Sequence, residues 1–533
     1  MSIYLRIFTL ATALVCYDLV QAQNERDALR HTQTGLTGTA RALGMGGAFS
    51  AVGADLTSAT LNPAGLGLFR SSVFAVSPAF QVATARTDML DASQRETRQR
   101  FGIPSSGVAF NTINYYDNGR EKSEIEKGLK SYTFAIGVNQ LENYYRDLLV
   151  QGAFNPSSSL TNYFAEQAEG FQPGELGLLP GTAFDLLMID TIYGSGGARY
   201  FPAVTNGQME QTMQILEEGR RNEWYVALGG NFSDRFYLGA AIGLQTLRYE
   251  QTYLFVEEDV NNLYQFYNPF EDNGFPLEIP TNVIQLQEYF STRGTGVNGK
   301  IGAIYRPLDH IRIGASVQTP TFLNLTDEFQ TTLTHNFNAT ATQTEEATRA
   351  TDLSRFEYSL ATPFRATLGA MVQFQKYGFF SADVEFVDYT KPRLSSVVTN
   401  ILDPNYYGFA AENQAIADLY QPALNYRLGG EYRIDIFRLR AGAALYGSPL
   451  GTRASEYIDP ATLEVQQIDA SRRFFTLGAG VRQPNFYMDV SFVNQVQQDK
   501  NAPYSLASTT LLAPTAVTAR TTQQVMATMG FVF

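Results

Sequence analysis

The chain has 533 residues, 44% hydrophobic and 13% aromatic but only 17% charged, with a formal net charge of -13. That acidity argues against a nucleic-acid partner, and the single cysteine, Cys16, leaves nothing to form an internal disulfide. No segment approaches the roughly 18 consecutive apolar residues of a membrane-spanning helix, so the apolar content must be spent on many half-apolar elements.

Residues 1–22 read as a secretory signal. Arg6 precedes the apolar run 7–16, and Val20-Gln21-Ala22 offers a small-residue cleavage site. Cys16 follows Val15 rather than a small residue, so no lipoprotein anchor is expected. Next comes a glycine-rich stretch, residues 44–67. Gly44-Met45-Gly46 opens like a phosphate-binding loop, but Phe49 occupies the last glycine position and no Gly-Lys-Ser/Thr follows. A free linker would leave Leu43, Met45, Phe49, Val52, Leu56, Leu61, Leu66 and Leu68 in water. Small residues among apolar ones instead suit backbone packed tightly against a wall. Residues 23–70 are therefore expected to form a plug.

From residue 71 the dominant signal is period-two alternation, in which each strand shows one apolar and one polar face. Phe380, Ala382, Val384 and Phe386 alternate with Ser381, Asp383 and Glu385, and Phe486, Met488, Val490 and Phe492 with Tyr487, Asp489 and Ser491. About fourteen such segments are expected, near 71–85, 103–116, 131–145, 222–232, 235–252, 289–306, 310–330, 353–375, 377–392, 421–434, 436–449, 471–483, 485–498 and 520–533. Tight turns such as Ser233-Asp234, Gln375-Lys376, Asp435 and Pro484 alternate with long connections at 86–102, 146–221, 253–288, 331–352, 393–420, 450–470 and 499–519. A soluble sandwich has no reason to gather its long loops at one end, whereas a transmembrane barrel has short periplasmic turns and long outer loops. The expected fold class is therefore all-β, a transmembrane antiparallel β-barrel of residues 71–533. The final Phe533 closes an alternating strand, resembling the signal read by the barrel assembly machinery.

Residues 40–49, ARALGMGGAF, and 59–66, ATLNPAGL, resemble the hatch of the FadL-type outer-membrane transporters, with Asn62, Pro63 and Ala64 on the family's Asn-Pro-Ala element and Gly44, Gly46 and Gly47 beside it. Residues 362–370, 426–432 and 439–442 resemble the same family. The resemblance implies passive uptake of long-chain fatty acids or other hydrophobic compounds by a monomer in a Gram-negative outer membrane. Outer-membrane lipid and lipopolysaccharide would surround it, and neither cofactor nor metal would be needed. It further implies surface capture, a hatch over residues 23–70 and sideways release where the third strand is kinked. Gly137 is the expected bend in that strand.

Capture needs a concave apolar surface. Phe184, Leu187, Met188 and Ile192 in loop 146–221, and Phe266 and Phe270 in loop 253–288, are the candidates. Phe184, Met188 and Ile192 recur at helical spacing, as do Met209, Met213 and Leu216. Inward-facing charges are expected at Lys300, Arg312, Arg365, Asp383, Glu385, Arg427, Glu431, Arg433, Arg438, Arg440 and Asp489. Of these, Arg365, Arg427, Arg438 and Arg440 could meet a carboxylate headgroup, although mixed charges in a lumen more often pair with each other. A hydrolytic enzyme is disfavoured, because the only histidines are His31, His310 and His335 and none stands beside a nucleophile in a recognisable pattern. A general porin and an adhesin-like structural barrel remain as alternatives.

Overall fold

The computed structural model describes residues 25–117, 122–125, 127–194, 197–264, 280–340, 343–398, 400, 407–458, 464–507, 511 and 513–533. The expected signal, 1–22, lies outside the described residues, as do Phe266 and Phe270.

The architecture is a closed antiparallel barrel of fourteen strands. In chain order they are β1 (Val73–Met89), β2 (Ala92–Ile113), β3 (Leu129–Asn143), β4 (Met209–Phe232), β5 (Phe236–Glu258) and β6 (Thr281–Leu308). Next come β7 (Ile311–Gln318 continued by Phe322–Thr340), β8 (Gln343–Ala350, Ser354–Ala361 and Arg365–Phe374) and β9 (Gly378–Asp388 with Arg393–Ser396). The ring is completed by β10 (Pro422–Ile434), β11 (Phe437–Tyr446), β12 (Arg472–Arg482), β13 (Phe486–Asn501) and β14 (Ala516–Val532). Each strand pairs with its chain neighbours, and β14 returns to β1 in a ladder from Val73↔Val532 to Asp88↔Val517. Lipid offers no hydrogen-bond partners, so this last ladder removes the free edges a spanning sheet cannot keep.

Alternation sorts the side chains as lipid requires. Trp224, Val226 and Leu228 on β4, Leu238, Ile242 and Leu244 on β5, and Phe380, Val384 and Phe386 on β9 all point outward and are exposed. Their inward neighbours Glu223, Tyr225, Asp383 and Glu385 are buried. An apolar surface this continuous belongs in a bilayer rather than in water.

Two expected outer loops are strand instead. Residues 86–102 continue β1 and β2 into a hairpin that turns at Leu90 and Asp91, and 331–352 are largely the upper parts of β7 and β8. Above the bilayer both faces of a strand meet water or protein, so the hydrophobic alternation stops while the backbone ladder continues. Residues 209–221 likewise extend β4, placing Met209, Met213 and Leu216 on a strand and not on a helix. The spacing of four from Met209 to Met213 satisfies both periods, whereas the spacing of three to Leu216 puts that residue on the strand's other face.

The remainder of 146–221 builds a cap. It contains a strand, Arg146–Asn155, paired with upper β4, then α-helices Leu160–Ala168 and Leu178–Asp185 and a hairpin of Ile189–Gly194 with Gly197–Pro202. Ser159 and Asn162 close the first helix with a reciprocal capping box. The cap has its own core, in which Leu160, Phe164, Leu186 and Met188 pack with Met209 and Met213 of β4, Phe255 of β5 and Leu333 of β7.

A charge in the middle of the apolar belt tests the orientation of the wall. Replacing Ile242, 59% exposed on β5, by Arg is expected to cost about 2–4 kcal/mol in reversible unfolding from lipid vesicles. Arginine at the same height on the inward face would not carry this lipid penalty. A negligible cost for Ile242→Arg would contradict the assigned outer face.

Candidate functional site

Residues 25–70 lie within the ring of strands. Their elements are α-helices Glu25–Thr32, Ala40–Leu43 and Ser58–Leu61 and a 3-10 turn, Pro63–Leu68. Because each is short, most of their backbone donors must find partners outside their own helix. The wall supplies them. Ala40 N donates to Thr528 Oγ1 of β14 at 2.8 Å and Gly46 N to Thr476 Oγ1 of β12 at 2.9 Å. Asp383 of β9 accepts from Phe49 N, Ser50 N and Ser50 Oγ at 2.8–2.9 Å through one carboxylate oxygen. On the opposite strands, Ser316 Oγ donates to Leu61 O at 2.8 Å and Asn139 Nδ2 to Thr60 Oγ1 at 3.1 Å.

Asn62 ties the segment's two halves together. Its Nδ2 donates to Ser50 O at 2.7 Å and to Ala303 O of β6 at 3.3 Å, while its Oδ1 accepts from Ala64 N at 3.2 Å and Pro63 begins the turn that follows. Backbone sits on backbone here. Gly46 has φ +63, and a Cβ there would stand 2.8 Å from Ala443 N of β11. Side chains on Gly302, Gly429 or Gly442 of the wall would run into Asn62 or Met45. Inward glycines on barrel strands are thus the other half of the glycine-rich N-terminal pattern.

The buried lumen charges pair with each other. Arg365 and Arg427 share Glu385, at 2.9 and 2.7 Å, and Asn425 also donates to it. Arg440 joins Glu431 to Asp489, at 2.9 and 2.7 Å, and Lys300 pairs with Glu223. Arg312 donates to Val52 O and Arg433 to Glu431. Arg438 is the exception, since it lies at the periplasmic turn and donates to the carbonyls of Asp435 and Phe437. Buried pairs of this kind add little net stability, but removing one partner strands a charge at about 3–5 kcal/mol.

On the extracellular side of this segment is a cavity of about 740 Å³. Leu29, Leu36, Leu141, Tyr144, Phe474 and Met526 line its apolar parts, and glutamines 81, 140, 495, 497 and 524 with several arginines line the rest. One side of it meets an irregular seam. The β2–β3 ladder runs from Ile113↔Ser131 only to Ser105↔Asn139, and residues 92–104 of β2 bond to β1 alone. Pro104, which has no N–H to offer, stands at the break, and Leu141 is skipped in the β3–β4 register. Arg98 reaches across to Glu217 O and Glu218, and Arg100 to Asn143, both over the ring of Tyr145. Phe101 and Ile103, beside the break, face outward and are exposed.

No family model matches the sequence, and the comparison with curated proteins finds no match. Solved structures do match. A Pseudomonas aeruginosa FadL homologue superposes over 94% of this chain and 99% of its own, with a TM-score of 0.52 at 12% identity. The chain has the FadL-type fold. The P. putida toluene transporter TodX aligns over 94% of this chain and 99% of its own at 10% identity, TM-score 0.49, and the Ralstonia pickettii toluene transporter TbuX over 93% and 98% at 15%, TM-score 0.46.

In this FadL-type barrel the residues singled out for capture scatter. Phe184 ends a helix and packs edge-on to Tyr200, Met188 is wholly buried in the cap's core, and Ile192 falls on a strand, so the three share no helical face. Of Phe184, Leu187 and Met188, Leu187 is the exposed one, with φ +60, near exposed Leu178 and Phe171 in sequence. Phe184, Leu187 and Met188 do not line the cavity. Gly137 sits in an unbroken stretch, opposite Gly107, and a side chain there would strike the Tyr225 hydroxyl. The break lies higher, at Pro104 and Leu141, and a proline inside a strand pattern was its sequence signal.

Two expectations test the seating of residues 25–70. Asp383→Ala removes the acceptor of three donors, each worth about 1–3 kcal/mol if left unsatisfied; larger single-channel conductance in planar bilayers should follow, and unchanged conductance would mean the segment does not depend on this anchor. His31 is fully buried between Tyr144 and Tyr249. Burial, and then the charges of Arg30 and Arg221, hold its pKa well below 6.5. The unfolded chain therefore binds a proton that the folded one does not, and stability falls as pH drops below about 6.5, by up to roughly 1.4 kcal/mol per unit. Unfolding measured from pH 7 to 5 should show this slope in the wild type and lack it in His31→Phe.

Proposed function

We propose that the chain is a passive outer-membrane channel of the FadL family for apolar or amphipathic small molecules, and that cargo leaves the lumen sideways between β2 and β3. The observation that carries the reading is the unladdered edge of β2. Unbonded backbone at membrane depth is tolerated only where it faces protein or lines a cavity, and Pro104 and Gln140–Tyr145 at this edge line the 740 Å³ cavity. The strand Arg146–Asn155 lies beside the upper part of the edge, and its backbone pairs with β4 instead.

In this reading Phe171, Leu178 and Leu187 offer the first apolar contact at the surface. The cavity then holds the cargo, its apolar walls taking a chain. Lys500 Nζ, whose hydrogen bond is to the carbonyl of Glu456, would face an anionic head such as a fatty-acid carboxylate. Residues 25–70 act as the hatch. They are coupled to the seam, because Gly35 N donates to Leu141 O at 2.9 Å and Thr37 Oγ1 to Gln140 O at 2.8 Å. The glutamine-rich part of the lining favours a second reading, a pore for hydrophilic solutes.

A staple across the seam separates the two. With Arg100→Cys and Asn143→Cys joined by a short bismaleimide, oleate uptake into proteoliposomes should fall by roughly tenfold, the equivalent of 1.4 kcal/mol in the barrier, while oleate binding is retained. Uptake that ignores the staple would overturn the lateral route. Sugar-driven swelling of the same vesicles would favour the hydrophilic pore.

A further inference from the structure

The outward face of β4, β5, β6 and β7 changes character in three registered rows. The first is apolar, with Trp224, Leu244, Val297 and Phe322 side by side. Two residues further along each strand lies a neutral polar row, Asn222, Thr246, Thr295 and Asn324. Two residues beyond that, Arg220, Arg248 and Arg293 stand directly opposite one another on β4, β5 and β6. Each step is about 6.6 Å along a strand. Among the described residues no other three consecutive barrel strands place cations in register on the outer face.

Like charges directly opposite on neighbouring strands are destabilising, so this row calls for an anion. The protein supplies only part of one. Glu250 accepts from Arg248 at 2.9 Å and lies 3.3 Å from Arg293, leaving both arginines more than 60% exposed. Glu218, opposite Glu250 on β4, is engaged by Arg98. Three guanidinium groups against Glu250 leave an excess of two positive charges at the upper border of the lipid-facing belt. Guanidinium groups present planar forks that match phosphate oxygens.

We propose that this face docks the phosphorylated headgroup of an outer-leaflet glycolipid, of lipid A type. Acyl chains lie along Trp224, Leu244, Val297 and Phe322. Sugar hydroxyl and amide groups meet the Asn/Thr row, and phosphate bridges the arginines. The proposal rests on the outer-membrane reading of the barrel and is independent of what the channel carries.

Native mass spectrometry of the full-length protein in detergent tests it, with bisphosphorylated lipid A, enzymatically dephosphorylated lipid A and inorganic phosphate as probes. The wild type should retain bisphosphorylated lipid A roughly tenfold more tightly than R220Q/R248Q/R293Q does, the scale of one charge-assisted contact. Dephosphorylated lipid A should bind both proteins equally weakly. Heat-modifiable migration checks that the triple variant folds. E250Q, which removes the competing carboxylate, should bind bisphosphorylated lipid A more tightly than wild type. Equal affinity of the wild type and the triple variant for bisphosphorylated lipid A would overturn the proposal, and so would weaker binding by E250Q. Ready displacement of the lipid by equimolar inorganic phosphate would assign the row to small anions instead and equally overturn it.

Discussion

Backbone hydrogen bonding in a medium that offers none of its own is the constraint on which the molecule is built. A spanning sheet has to close, and β14 on β1 closes it. Closure then creates a second problem, a lumen lined by the polar faces of fourteen strands. Water could fill it, but here peptide does. The N-terminal segment brings backbone donors to Thr528, Thr476 and Asp383, while Arg365, Arg427 and Arg440 consume the carboxylates of Glu385, Glu431 and Asp489. Glycine on both sides makes the contact short enough for those bonds to form.

Against that rule the β2–β3 seam is the informative exception. Elsewhere the interruptions are shorter, as between β8 and β9, where Ala361↔Arg393 follows Arg365↔Val387, and a gap of thirteen residues in a lipid-facing wall costs hydrogen bonds that only an adjoining cavity can offset. The arginines that span it do so with side chains alone, through Arg98 to Glu218 and Arg100 to Asn143. Side-chain bridges rearrange far more cheaply than a registered ladder. The carbonyls of Gln140 and Leu141 that accept from Thr37 and Gly35 of the N-terminal segment lie on the same strand edge, so that segment is bonded directly to the seam.

How much of this was legible in the sequence followed the lipid. Where a strand crosses the bilayer its outer face must be apolar, and the alternation of Phe380–Phe386 or Phe486–Phe492 fixed type, face and number. Above the bilayer the pressure lapses, so the upper hairpin of β1 and β2, rich in Arg, Gln and Thr, read as a loop although its ladder is continuous. The close packing of the N-terminal segment was legible because glycine and alanine among apolar residues need a close wall. Its partners were not, since an inward glycine such as Gly302 looks like any strand glycine until the register places it on Asn62. The lumen arginines were found by parity, except Arg438, whose strand ends at a turn where parity no longer separates lumen from rim. The long loop's apolar stretch was not legible as cap or capture surface, because such a stretch also buries side chains, Met188 among them, in the cap's own core.

Arginine itself reports position. In the lumen Arg365, Arg427 and Arg440 each have a carboxylate within hydrogen-bonding distance, since a charge left alone there costs several kcal/mol. At the periplasmic rim Arg438 settles on turn carbonyls in water. On the outer face above the belt neither pressure acts, and a chain with a net charge of -13 had carboxylates to spare for the Arg220–Arg248–Arg293 row. It spends only Glu250 there. A surface that declines cheap neutralisation where acyl chains give way to headgroups is one whose counter-charge comes from the membrane, and the neutral Asn/Thr row between arginines and tryptophan has the depth of the sugar that joins phosphate to acyl chain.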